Sequence, residues 1–277
     1  MVVVAIVAAA GPSGTRAAQE RRYPVTGMVT RVEPESRRFT VSHEDIPGFM
    51  SGMIMPFEVR QASELAAIAP GALIEFTLVI GPDAGYATAI RVRRWPLAAT
   101  RAPGRRDEIL PGQLLPAVTF TDQSGQAFAI PAAAAGRVAV VDFIYTRCAL
   151  PQFCLRQSET FAALQRRFAR QYGNDLLLLS VTFDPEHDSP GVLATYAGRY
   201  GADPKMWRFL TGRRGDVARW AARAGVGRYP EEGLKGHSLR TLLIDRRGRV
   251  AARVEGNQYP AQQIGDLVLD LLGREER

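Results

Sequence analysis

The 277-residue chain has few of the side chains that bind metals or exchange electrons: two cysteines and three histidines. Two cysteines cannot build the disulfide framework of a small secreted scaffold. With so few histidines, the place of each one carries weight. Lysine is almost missing as well: of 35 basic residues, all but Lys205 and Lys235 are arginine. The excess over 28 acidic residues gives a net charge of +7. No nucleic-acid-binding motif accompanies that charge, and a charge excess alone sets non-specific attraction, so nucleic acid is not expected as a partner. Long apolar runs are absent too. The longest, VVVAIVAAA at 2–10, is about half the length of a membrane span. With 46% hydrophobic and 23% charged residues, neither wholesale disorder nor a multi-span membrane protein fits.

That apolar run matches the core of a secretory signal, with Ala8, Ala10, Ala17 and Ala18 as small residues at candidate cleavage positions. Residues 1–20 therefore read as an export signal or a short membrane anchor. Either places the remainder in the periplasm or on the outer face of the inner membrane.

Residues 23–95 carry short runs split by turn residues: Tyr23–Val32, Arg37–His43, Met53–Val59, Ala72–Ile80 and Tyr86–Arg94. Five short strands without a long amphipathic helix predict a small closed all-β barrel of OB type. Residues 96–113, rich in Pro, Gly, Ala and Arg, read as a linker that also holds part of an arginine cluster, Arg91 to Arg106. From 114 to 273 the pattern changes. Val138–Tyr145 and Leu176–Phe183 are nearly continuous apolar runs, as expected of strands buried on both faces. Phe161, Leu164, Phe168 and Tyr172 recur at helical spacing, as do Ile264, Leu267, Val268, Leu271 and Leu272. Strand–helix–strand, further helices, a hairpin and a last helix predict an α/β thioredoxin-like domain.

Both cysteines fall in YTRCALPQFCLRQSE, between the first buried strand and the next helix. Unpaired N–H groups at a helix start stabilise a thiolate, and Arg147 and Arg156 would add to that. Cys148 and Cys154 can close a disulfide or chelate one ion. His237, in LKGHSLRTLLID, precedes a predicted strand whose leading loop approaches the cysteine loop in a thioredoxin-type sheet. Two thiolates and an imidazole are soft donors suited to Cu(I) and tolerant of Cu(II).

From about Gly112 to Leu272 the chain resembles the Sco/SenC family. The resemblance rests on VVDFIYTRC…C, LLLLSVTFDPEHDSP, WRFLTG and GHSLRTLLIDRRGRV. It implies a thioredoxin fold, a copper site at Cys148, Cys154 and His237, an acidic residue at Asp184, and assistance to assembly of the dinuclear copper centre of a cytochrome oxidase. Partners would then be the oxidase copper-centre subunit and thiol reductants. The family spaces its cysteines C-x3-C, whereas this chain reads C-x5-C, a departure that bears on the metal site more than on the fold. His187, in DPEHDSP, reads as exposed.

A second constellation lies in SHEDIPGFMSGMIMPFEV: His43, then Met50, Met53 and Met55. Two residues apart, Met53 and Met55 share one face of a strand. Thioethers with an imidazole bind Cu(I) without an ionised thiol, although methionine also fills gaps in cores. Residues 23–95 are similar to the periplasmic CusF-type copper-binding domain, which implies His43, Met53 and Met55 as copper ligands. Met50 stands nearest to the tryptophan that caps the metal in that family.

Taken together, the expectation is an exported two-domain copper chaperone that passes Cu(I) from barrel to thioredoxin-like domain. The alternatives are a thiol–disulfide oxidoreductase, with Cys148 attacking and Cys154 resolving, and a copper-resistance buffer that needs the barrel alone.

Overall fold

The computed structural model describes residues 20–82, 84–93, 108–148, 151–226, 228–231, 234–237 and 239–273, and only the backbone at 151–152, 228–231 and 234–237. Nearly all of the expected export segment and most of the expected linker lie outside the described residues.

The first unit is an antiparallel sheet of β1 (Arg21–Glu33), β2 (Arg38–His43), β3 (Ile54–Glu58), β4 (Leu73–Ile80) and β5 (Gly85–Val92), in the order β3-β2-β1-β4-β5. The expected closed barrel is not formed. β3 and β5 are the edges of an open sheet, and between those ends the structure records an isolated parallel bridge, Val59 to Ala87. The reason is local. β3 is five residues long and contains Pro56, which has no N–H to give a second ladder, the composition of an edge strand. Alternation in β1, β2, β3 and β4 turns Val25, Val29, Phe39, Val41, Phe57, Ile74 and Phe76 into one apolar core, where the rings of Phe39, Phe57 and Phe76 pack mutually.

The second unit is a seven-stranded sheet, ordered β14-β13-β8-β9-β10-β6-β7. Its elements are β6 (Val118–Asp122), β7 (Ala127–Ile130), β8 (Val138–Ile144), α1 (Arg156–Tyr172), β9 (Leu176–Thr182), α2 (Pro190–Arg199), β10 (Trp207–Thr211), α3 (Arg214–Arg223), β13 (Arg240–Ile244), β14 (Val250–Glu255) and α4 (Ala261–Gly273). A small antiparallel ribbon, β11 (Arg228–Glu231) with β12 (Leu234–His237), precedes β13. β8, β9 and β10 are parallel, with helical crossovers between them, and hairpins flank them. All seven residues of both β8 and β9 are buried, which accounts for their continuous apolar runs. This is the thioredoxin-like α/β arrangement. The chain is already packed on this unit at Ile109, which is buried and donates its N–H to the Arg223 carbonyl at 2.8 Å.

The two units meet along α4. Met28 of β1 is fully buried in the cluster built around α1 and α4. Ser42 Oγ donates to Asp266 Oδ2 at 2.6 Å, and Gln263 Nε2 donates to the Ser42 carbonyl at 3.3 Å. Arg31 pairs with Asp270.

Candidate metal and thiol sites

β8 ends at Ile144, and the chain turns sharply to bring Cys148 back under Tyr145, whose carbonyl accepts the Cys148 N–H at 3.3 Å. Two threonines and an aspartate fix this turn. The buried Asp188 carboxylate accepts from the Thr146 N–H at 3.2 Å, from the Thr146 hydroxyl and from the Thr182 hydroxyl at the end of β9. A single π-helical turn, Pro151–Leu155, then leads into α1. Such turns mark functional positions more often than ordinary helix does, and this one carries Cys154.

Cys148 is half-buried, Cys154 is fully buried, and they are not joined in a disulfide. The two side chains share a hydrogen bond, which, ahead of burial, pushes the Cys154 thiol far above the ordinary thiol range. Tyr145 is raised too, first by burial and then by Cys148. The expected helix-start depression of a thiol pKa therefore does not hold for Cys154: inside an apolar cluster and against its partner sulfur, it keeps its proton. Nor does Arg147 serve the thiols alone, because its guanidinium lies 2.7 Å from the buried Asp184 carboxylate. Asp184 thus sits one ion pair away from the cysteine turn. Chemically, the pair offers a reachable sulfur and, beside it, a sheltered proton-bearing one.

His237 ends β12, and its side chain lies outside the described residues. The backbone does fix where that strand leads. β13 runs antiparallel to β8 with Leu242 opposite Val141 and Ile244 opposite Ala139. The start of β13, three residues after His237, is therefore at the sheet end where β8 delivers the cysteines. No group of three or more His, Cys, Asp and Glu side chains among the described residues forms a metal cluster. His187 is exposed.

The β2–β3 hairpin assembles the other constellation. Val41 pairs with Met55 and Ser42 with Ile54, and the His43 N–H donates to the Met53 carbonyl at 3.0 Å. This register puts His43, Met53 and Met55 on one face. His43 is buried, with its ring edge-on to Phe57. Its Nδ1 lies 2.7 Å from the Glu44 carbonyl, so the proton belongs on Nδ1 and Nε2 carries the lone pair. That Nε2 is buried and has no hydrogen-bond partner. Met55 is half-buried and Met53 is 45% exposed. Met50 is half-buried at the bridge with Ile46. Gly27 lies opposite His43, where a Cβ would sit 2.5 Å from the Ser42 oxygen; only glycine lets β1 approach this closely.

Sequence reasoning missed Asp188, Tyr145 and Asn257. Asp188 stood in the quoted DPEHDSP motif, yet its role depends on a contact 42 residues away. Asn257, whose Nδ2 donates to the Phe153 carbonyl at 3.2 Å, gave no local signal.

A thioredoxin-like sheet with two thiols beyond the end of β8, docked on a small β-sheet unit with an imidazole and thioethers on one face, sets the class: a two-unit protein in which both units carry soft donors. Comparison with known proteins agrees. The SCO1/SenC family model matches residues 107–270, more than half of the chain, and the model for copper binding periplasmic protein CusF matches residues 22–92. The chain belongs to the SCO1/SenC family, as a copper-chaperone domain at family level fused to an N-terminal CusF-like domain. The SCO1 protein homolog of Bacillus subtilis (strain 168) is 31% identical over 94 residues, which cover 34% of this chain and 47% of that protein. The matched stretch thus spans about half of that relative. The crystal structure of a SCO1/SenC family lipoprotein from Bacillus anthracis str. Ames matches at a TM-score of 0.52 and 26% identity, covering 58% of this chain and 97% of that one. Arabidopsis thaliana ScoI with copper bound, at a TM-score of 0.50 and 19% identity, covers 58% of this chain and 99% of its own and shares the fold. Among the described residues no helix is long and apolar enough to cross a membrane.

Proposed function

We propose that this protein is an exported copper chaperone whose cargo is held in turn by two donor sets. His43, Met53 and Met55 take Cu(I) in the CusF-like unit. Cys148, Cys154 and His237 receive it in the Sco-like unit and present it to the copper-centre subunit of a cytochrome oxidase. The observation that carries the reading is the contact between Cys148 and Cys154 at the mouth of α1, which offers two sulfurs to one ion. Support for the first donor set comes from the buried, unpartnered His43 Nε2 on the methionine face. Support for His237 comes from the strand it leads into, which starts beside the end of β8.

The deciding experiment is a Cu(I) titration of the reduced, full-length protein with X-ray absorption at each step. Two equivalents should bind, one with thioether and imidazole scattering and one with thiolate and imidazole scattering. Cys148→Ser should remove only the thiolate-bound equivalent. A single equivalent that vanishes with Cys148→Ser refutes the two-site reading and leaves the Sco-like unit alone with copper. Copper bound only by thioether and imidazole, with cell metal tolerance indifferent to the cysteines, makes the protein a buffer.

The asymmetry of the thiols also favours a second activity, thiol–disulfide exchange, with half-buried Cys148 as attacking sulfur and buried Cys154 as resolving one. Reductase turnover in metal-free protein that survives His237→Ala would establish it beside copper binding.

A further inference from the structure

The strand that ends at His237 belongs to a ribbon that pairs only with itself: among the described residues, β11 and β12 form a separate two-stranded sheet. Two strands alone are marginally stable in water, so the place where β12 ends depends on how the two roots of the ribbon are held. One root is the end of α3, at Ala224 to Val226, and the other is Arg240, the first residue of β13. A single guanidinium ties both. Arg240 is buried; its Nη1 donates to the Ala224 carbonyl at 3.2 Å and to the Glu108 carboxylate, and its Nη2 pairs with Glu255 at 2.9 Å. Glu108 is held in turn by Arg253 of β14 at 2.7 Å. Gly225 makes the crossing possible: at φ +76° its Cβ would overlap Arg240 Nη1 and lie 2.5 Å from the Glu108 carboxylate, so only glycine leaves room for the guanidinium there. Leu242 and Ile244 share the Arg240 face of β13 and lie with Val226 and Cys154 in one buried cluster. The clasp is therefore on the cysteine side of the sheet.

We infer that Glu108 and Arg240 are positioning residues for the Sco-like donor set: their clasp, closed across both roots of the ribbon, fixes where β12 delivers His237. This deepens the copper reading above and rests on it. Glu108 precedes β6, in the stretch that leads in from the CusF-like unit, so the joining segment supplies part of the scaffold of the metal site. The network sets two arginines against two carboxylates, and Glu108 is the buried one of those carboxylates, with its side chain 12% exposed against 45% for Glu255. Removing the Glu108 charge leaves Arg240 and Arg253 together with half the compensation. The Arg240 guanidinium then turns to Glu255 at the rim and gives up the Ala224 carbonyl. With one root released, the ribbon ranges more widely, and the imidazole spends less time on an ion held by the two sulfurs. Residues that orient a metal ligand without touching the metal are worth about ten- to a hundredfold in affinity.

The test uses the full chain carrying His43→Ala, so that thiolate-bound copper is observed without the other imidazole. Each protein is reduced, given one equivalent of Cu(I), and measured by X-ray absorption and by competition with a chromophoric Cu(I) chelator. The parent should show two sulfurs and one imidazole. Glu108→Gln, which keeps the shape and removes the charge, should keep both sulfurs, lose most of the imidazole scattering and bind Cu(I) about ten- to a hundredfold more weakly. Arg240→Lys keeps the charge but has no planar fork to span the Ala224 carbonyl and both carboxylates. It should behave alike, and it carries the test if circular dichroism finds Glu108→Gln unfolded. Leu271→Ala, in the core cluster on the other face of the sheet, destabilises without touching the clasp and should keep the imidazole. Parental affinity and full imidazole scattering in folded Glu108→Gln or Arg240→Lys overturn the inference and leave the copper reading standing; so does an equal loss of imidazole in Leu271→Ala. If the parent takes up no Cu(I), or binds it by thiolate without imidazole, the copper reading of the Sco-like unit fails, and this inference fails with it.

Discussion

Asp142 should make the stability of the folded protein fall steeply with pH, and the size of the effect follows from its surroundings. It lies in the middle of β8, fully buried, in register with Ser180 of β9. The Ser180 hydroxyl already receives the Trp207 Nε1–H at 3.0 Å, and neither Asp142 carboxylate oxygen has a hydrogen bond of good geometry. Burial pushes the acid up to about 8, against a smaller pull from the Ser180 hydroxyl. In the unfolded chain the same group ionises near 3.8. Between those values the unfolded state has given up a proton that the folded state keeps. The stability is therefore fully present below 3.8 and is lost as pH rises toward 8. The slope is about 1.4 kcal/mol per pH unit, or about 4 kcal/mol between pH 5 and pH 8. Asp142→Asn keeps the shape and removes the titration, at a pH-independent cost of about 1–3 kcal/mol for a buried amide with few partners. The two stabilities should cross between about pH 4.5 and pH 6, where the loss offsets that cost, and the variant should be the more stable protein by pH 8. Urea unfolding of both reduced proteins, free of metal, at pH 5, 6, 7 and 8 measures the difference. Parallel curves without a crossover would falsify the assignment of a neutral Asp142.

The other predictions concern the two sites and their supports. Cys148 should react first with iodoacetamide, and Cys148→Ser should leave a thiol that labels at least about tenfold more slowly, since Cys154 is buried and holds its proton; equal labelling rates would refute the asymmetry. Gly27→Ala should cost about 1–3 kcal/mol and weaken Cu(I) binding by the CusF-like unit, because the added carbon meets the Ser42 oxygen and Val41 at 2.5 Å; a thermal melt and a titration read the two effects. Asp188→Ala should lose about 2 kcal/mol or more by stripping three bonds from the turn below Cys148, and should raise the labelling rate of Cys154. His43→Ala should abolish the thioether-bound copper equivalent while leaving the thiolate-bound one, which copper stoichiometry checks directly.

How much of this was readable from the chain differs between the two units, for a physical reason. In the Sco-like unit the central strands β8 and β9 are continuous and buried on both faces, so Val138–Ile144 and Leu176–Thr182 stand out by composition alone, and the helices between the parallel strands mark the order of the elements. In the CusF-like unit the alternation of β1, β2 and β4 was equally clear. Closure was not, because it depends on whether two edges exchange hydrogen bonds, and one proline in a five-residue strand is enough to leave an edge open. The pairing of His43 with Met53 and Met55 was legible because a two-residue period places side chains on a face whatever the sheet does next. The direction of the Cys154 pKa was misread because helix position is local, whereas burial and a partner sulfur are tertiary.

The same distinction explains why the contacts between units left no mark in the sequence. Ser42, Gln263, Asp266 and Asp270 are ordinary surface residue types, and Arg31 is one arginine among many. On a solvated helix face, Gln263, Asp266 and Asp270 would simply be the polar side of an amphipathic α4. They become an interface because β1 and β2 present Met28, Arg31 and Ser42 at matching positions, with Met28 inside the partner unit's core and the Ser42 hydroxyl on a buried carboxylate. Burying Asp266 is tolerable only because Ser42 and Arg167 both satisfy it. A β-sheet unit that merely trailed on a tether would have no use for such a costly arrangement. That buried, doubly bonded carboxylate makes the contact a tertiary property of both units, which the pattern of neither one carries alone.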